Sequence, residues 1–220
     1  MAQPPVLRAL SLLAPFFPDM TVDDLARLPI GQRDAFLLTV REWLFGPQME
    51  CVAVCPACAM RLEFTMNTAE LRAAAPTTTA PQQLTLDGIR VTFRLPTSAD
   101  LLALTPTPTV VWRLVERCLI DPPAALPEHA LAAVATAMTQ RDPLLEPRIA
   151  MTCPGCGRGW STLLDIVAFV WQEIDYWARR LLSEIHALAR AYGWSESDIL
   201  ALSPQRRALY LRLVNDERSP

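Results

Sequence analysis

The chain has 220 residues, 51% of them apolar, and a net charge of −3, enough material for one well-packed domain or two small ones. All twenty basic residues are Arg and they are spread along the chain. This excludes a Lys-dependent phosphate loop, a kinase-type or Schiff-base Lys, and the basic face of a nucleic-acid binder. His129 and His186 are the only two histidines, so a Ser–His or Cys–His nucleophile is nearly without candidates, and a non-enzymatic protein is expected.

The opening stretch "MAQPPVLRALSLLAPFFPDM" has one Arg, prolines at both ends and no small-x-small cleavage site, so it does not read as a signal peptide. The longest apolar runs, such as Ile166–Trp171, fall far short of a membrane span. The expectation is a cytoplasmic address without a membrane, where paired cysteines bind metal more often than they form disulfides.

In chain order, the segment 1–46 reads as helical. Thr21 is a candidate N-cap with Asp24 as its capping-box partner. "IGQRDAFLLTVREWLFG" places Phe36, Val40 and Trp43–Leu44 on one helical stripe, and Gly46–Pro47 ends it. "MECVAVCPACAMRLEFTM" alternates on both sides of Cys55–Cys58, the pattern of two short strands joined by a tight knuckle. The Pro/Thr/Ala-rich segment 73–83 reads as a flexible linker.

The segment 84–144 follows, with a hairpin turning at Asp87–Gly88 and then short helices: "TSADLLAL" from a Thr or Ser cap, "VVWRLVERCLI" and "EHALAAVATAMTQ". "LLEPRIAMTCPGCGRGWSTLLDI" repeats the strand–knuckle–strand form around Cys153–Cys156, with Gly155, Gly157 and Gly159 suited to positive φ or close approach. The arm 165–220 holds the longest helix, Ile166–Tyr192, with an apolar stripe of Val170, Ile174, Trp177, Leu181, Ile185, Leu188 and Tyr192. Gly193 stops it. Ser195 with Asp198, and Ser203–Pro204, open two further helices. Glu173, Asp175, Arg179 and Arg180 read as a solvated face with ion pairs. The segments 21–40 and 195–214 align without a gap. Two readings stand open, ordinary capped helix pairs or an old duplication.

Two CPxC knuckles flanked by strands read as a zinc ribbon, with 47–66 and 145–164 forming one module and Cys55, Cys58, Cys153 and Cys156 holding one Zn2+. Two residues between thiolates let both sulfurs face one ion, and four thiolates leave no open position, so the ion would be structural. The redox alternative needs the first Cys at a helix N-terminus; strand-like "RLEFTM" and "GRGWSTLL" follow instead. Ribbon pairs normally lie about 15–20 residues apart, so here the metal would close a very long loop. Cys51 stays unassigned and Cys118 reads as a buried thiol. The fold class is α+β, mainly helical, with a ribbon built from distant segments, a small hairpin, a long helix and a capped helix pair.

"FVWQEIDYWARRLLSEIHALARAYGWSESDILALSPQRRALYLRLV" (169–214), preceded by "LPIGQRDAFLL", the first CPxC, "VTFRLPTSADLLAL" and the second CPxC, resembles the T-even phage baseplate hub assembly chaperone family. The resemblance implies a non-enzymatic role, holding a hub, spike or tail-core protein of a contractile particle. Of the site residues it carries over only the four cysteines. Trp171, Trp177, Trp194 and Tyr210 are the candidate partner-binding aromatics.

Overall fold

The computed structural model describes residues 3–86, 88–105, 107–122 and 126–216, in two compact units, Met1–Val170 and Trp171–Pro220. The first unit begins with three helices, α1 (Pro5–Leu13), α2 (Val22–Arg27) and α3 (Ile30–Phe45). Then come hairpin strands β1 (Gln48–Val54) and β2 (Arg61–Asn67), a short α4 (Thr68–Arg72), and β3 (Gln82–Leu86) paired with β4 (Ile89–Phe93). Helices α5 (Ser98–Leu102) and α6 (Val110–Cys118), strand β5 (Leu119–Ile120) and helix α7 (Glu128–Arg141) lead to a second hairpin, β6 (Arg148–Thr152) and β7 (Gly159–Leu163). Helix α8 (Ile166–Tyr192) starts in this unit and runs into the second, which adds α9 (Glu196–Ala201) and α10 (Pro204–Asp216). The sheets are β1–β2, β3–β4–β5 and β6–β7, all antiparallel. The chain is therefore α+β with a helical majority and a long C-terminal helix. Among the described residues, no helix is long and apolar enough to cross a membrane.

Local chemistry sets most of these boundaries. Thr21–Asp24, Thr97–Asp100 and Ser195–Asp198 each form a complete capping box at the start of α2, α5 and α9. Each box satisfies two amide donors that the first helical turn would leave unpaired. Gly46 ends α3 at φ 87° and Gly193 ends α8 at φ 69°, a conformation that costs a residue with a Cβ. The two-residue connection between Leu86 and Ile89 uses Gly88 at φ 79°; Asp87, read with it as the turn, lies outside the described residues.

Three expectations need correction. Leu119–Ile120 is not helical: it pairs with Thr92–Phe93 as the third strand of the sheet. In the segment read as a linker, Gln82 and Gln83 belong to β3. Pro76 is buried, and its carbonyl accepts from Gln32 Nε2 at 3.1 Å. The α3 stripe is misplaced, because that helix packs on more than one side. Leu37, Leu38 and Val40 are its fully buried apolar residues, while Trp43 is 61% exposed. Phe36 is half-buried and stacks on Phe17 at 4.7 Å.

A polar cluster is enclosed beside this core. The Arg33 guanidinium donates from Nε to Asp34 Oδ1 (2.8 Å) and from Nη1 to Ser98 Oγ (3.0 Å). Asp142 Oδ2 accepts from the Gly31 amide at 2.8 Å, while its Oδ1 has no partner among the described residues. Burial pushes the Asp34 carboxyl up to about 6 against the pull of Arg33, and Asp142 moves up for the same reason. A carboxyl raised in the folded state stabilises the fold below its unfolded pKa and loses that contribution as pH rises through about 6. Relative to Asp34→Asn, the parent should thus lose about 2 kcal/mol between pH 4.5 and 7.5, read from urea unfolding of both proteins across that window. A parent-to-variant difference that does not change with pH would contradict the assignment.

The segments 21–40 and 195–214 share more than sequence. In both, a capped six-residue helix meets a second helix through an extended Leu, Leu28 or Leu202. Leu25 and Ile199, Arg33 and Arg207, and Val40 and Val214 are buried at matching positions. The Phe36–Phe17 stack has its counterpart in Tyr210, which lies edge-on to Tyr192 (5.6 Å) and Trp194 (4.9 Å). In the second unit these rings pack on a core of Ile185, Leu188, Ile199 and Val214.

Candidate metal centre

The two knuckles are built alike. Cys55 N donates to Met60 O (2.9 Å) and Ala59 N to Cys55 O (3.0 Å); Cys153 N donates to Arg158 O (2.9 Å) and Gly157 N to Cys153 O (2.9 Å). The hairpin ladders bring the chain into and out of each CPxC turn, and both turns close through a left-handed residue, Ala59 at φ 58° and Gly157 at φ 71°. Of the three glycines read into the second knuckle, only Gly157 has positive φ. A Cβ on Gly155 would lie 2.9 Å from Met60 Sδ, near the end of an exposed, flexible side chain that can move aside. Gly159 sits in β7 in ordinary contact. Ala59 carries a cost that Gly157 does not, so Ala59→Gly should stabilise by about 0.5–1 kcal/mol and Gly157→Ala should destabilise by a similar amount. The urea midpoints of the two variants would show it.

The hairpins bring all four knuckle sulfurs together, within 4.8 Å of one another. Cys55 Sγ lies 3.7 Å from Cys156 Sγ and Cys58 Sγ lies 3.6 Å from Cys153 Sγ. Four sulfurs placed about 2.3 Å from one tetrahedral centre stand about 3.8 Å apart, whereas a disulfide requires about 2.05 Å. The spacing is that of a metal cage, and all four cysteines are free thiols. Cys55 and Cys153 are buried and Cys58 and Cys156 exposed, so the cage has a closed side and an open side.

The electrostatics agree. The Cys58 backbone N–H, and behind it that of Ala57, pulls the Cys55 thiol down to about 6. The Met60 N–H acts in the same sense on Cys58, but the sulfurs of Cys153, Cys156 and Cys55 around it push its thiol up to about 12. One negative charge is favoured by the knuckle amides and further charges are opposed by neighbouring sulfur. A cation at the centre removes that opposition. The four residues fit a metal ion, and they form the one group of three or more Cys, His, Asp or Glu ligands found among the described residues.

The remaining candidates lie elsewhere. Cys51 is buried in β1, with Sγ 3.7 Å from Met49 O, outside the cage. Cys118 is fully buried at the end of α6; burial drives its thiol up to about 11. Trp171 and Trp177 lie on α8, the first half-buried and the second 47% exposed. Trp194 and Tyr210 are half-buried in the aromatic cluster of the second unit. Residue patterns did not signal the most exposed large apolar side chains on α8, Tyr176 (71%) and Leu182 (60%), which stand off the stripe read from the helix.

A comparison with curated proteins finds no match, and neither does a comparison with solved structures. A family model described as T4 bacteriophage base plate protein matches residues 11–121, half of the chain. The match spans α2 through α6, includes the first knuckle and stops before the second. On that match, the chain belongs to the T4 bacteriophage base plate protein family.

Proposed function

We propose that this baseplate protein is a non-enzymatic assembly chaperone or adaptor for the hub of a contractile tail-like particle, acting in the cytoplasm, with one Zn2+ stapling its fold. The observation that carries the reading is the four-sulfur cage formed by two knuckles from distant parts of the chain. Zn2+ suits four thiolates, which complete its tetrahedral shell and leave no position for a reacting water. Cys55, Cys58, Cys153 and Cys156 would hold it, and binding would supply folding free energy of order 10 kcal/mol at neutral pH. The half-exposed middle of α8, with Tyr176, Trp177 and Leu182 open to solvent, supports a protein-binding role. Exposed aromatic side chains are the anchors that dominate binding energy at protein contact surfaces.

The chaperone reading predicts association with a hub, spike or tail-core protein before the baseplate closes, and absence from the finished particle. Quantitative mass spectrometry of particles and of their assembly intermediates tests it. Recovery only in the intermediates fits the proposal; a fixed stoichiometry in purified particles would make the protein a permanent baseplate component.

A further inference from the structure

The two matched helix pairs differ on one face, and the first pair shows what that face does there. In α3, Gln32, Thr39 and Glu42 hold the chain segment that lies over them. Gln32 Nε2 donates to Pro76 O (3.1 Å), Thr39 Oγ1 accepts from Arg72 Nη1 (3.2 Å), and Glu42 Oε2 takes Thr68 Oγ1 (2.6 Å) and Arg72 Nη2 (2.7 Å). With the gapless alignment carried two residues further, Gln32, Ala35, Thr39 and Glu42 correspond to Arg206, Leu209, Leu213 and Asp216 of α10. No described segment covers that second face. Leu209 is 57% and Leu213 53% exposed, Arg206 and Asp216 are exposed, and neither charged side chain has a partner among the described residues.

These four residues stand at steps of three, four and three, so they share one stripe opposite the face that buries Arg207 and Val214. The stripe reads charge, Leu, Leu, opposite charge, which is complementary to itself in reverse. We propose that it is a two-fold surface on which α10 pairs antiparallel with α10 of a second copy of this chain. Leu209 then opposes Leu213 of the second copy, and Arg206 meets its Asp216 at both ends. A parallel arrangement would set Arg206 against Arg206, which fixes the orientation. A helix of 13 residues is about 20 Å long, and a single such contact falls in the class of small, weak interfaces. The dimer should therefore be a concentration-dependent one.

Sedimentation equilibrium of the full, metal-loaded chain from low-micromolar to submillimolar concentration tests this. The parent should pass from monomer towards dimer. Arg206→Asp or Asp216→Arg alone should weaken the dimer about tenfold, the double reversal should restore it, and Leu213→Asp should abolish it. Far-UV circular dichroism separates a lost interface from a lost helix; if Leu213→Asp perturbs folding, the charge reversals decide. A monomer at every concentration would overturn the proposal. So would a dimer indifferent to the single reversals, or one that the double reversal fails to rescue.

Discussion

Cys153→Ser should cost at least about 4 kcal/mol of unfolding free energy in metal-loaded protein, more than substitution of any residue outside the cage. On the proposed metal site, the link it breaks would join Cys58 to Cys153 across 95 positions of chain. A covalent clip over about 100 residues is worth nearly 5 kcal/mol in loop-closure entropy alone, and the loss of metal binding adds to that. Cys58→Ser should behave the same way, because each sulfur sits beside a sulfur of the opposite knuckle. Cys51→Ser is the control. Its thiol is buried but outside the cage, so its cost should stay under about 2 kcal/mol. Urea unfolding followed by Trp fluorescence compares all three, and equal losses at Cys51 and Cys153 would contradict the staple.

Gly31→Ala should be nearly as severe, destabilising by more than about 3 kcal/mol. A Cβ on Gly31 would lie 1.8 Å from Asp142 Oδ1. The carboxylate has little room to retreat: Asp142 is fully buried, its amide is held by Met138 O and its carbonyl by Leu145 N. It also pairs with the Gly31 amide, so Asp142→Ala alone leaves a buried donor unsatisfied and should cost about 1–3 kcal/mol. Combining the two removes the clash, and the double variant should be more stable than the sum of the singles by at least about 1 kcal/mol. Strict additivity in that cycle would show that the Cβ finds another place.

These two sites mark where sequence reading succeeds and where it stops. The knuckles were legible because their chemistry is local: two residues between cysteines, strand alternation around them, and a left-handed exit at Gly157. The helix starts at Thr21 and Ser195 were legible for the same reason, each cap finding its Asp three residues on; the start at 97–98 was legible as a Thr or Ser cap, and the structure makes it Thr97 with Asp100. That the two knuckles share one cage also followed, since only the opposite pair completes the shell of an ion. The Gly31–Asp142 contact did not follow, because its partners are separated by 111 positions and no local pattern links the two. Leu119–Ile120 read as helix because periodicity cannot see that the edge of β4 is free to take a third strand. The α3 stripe failed because a helix packed on several sides has no single apolar face. Leu37 and Leu38, adjacent in sequence, are both fully buried.

The most direct test of the staple is the metal content of the purified chain by elemental analysis, repeated after equilibration with a strong chelator while unfolding is followed. The staple predicts one zinc per chain, with loss of cooperative unfolding when it is withdrawn. A chain that carries no metal, unfolds cooperatively all the same and keeps Cys55, Cys58, Cys153 and Cys156 reactive would contradict it.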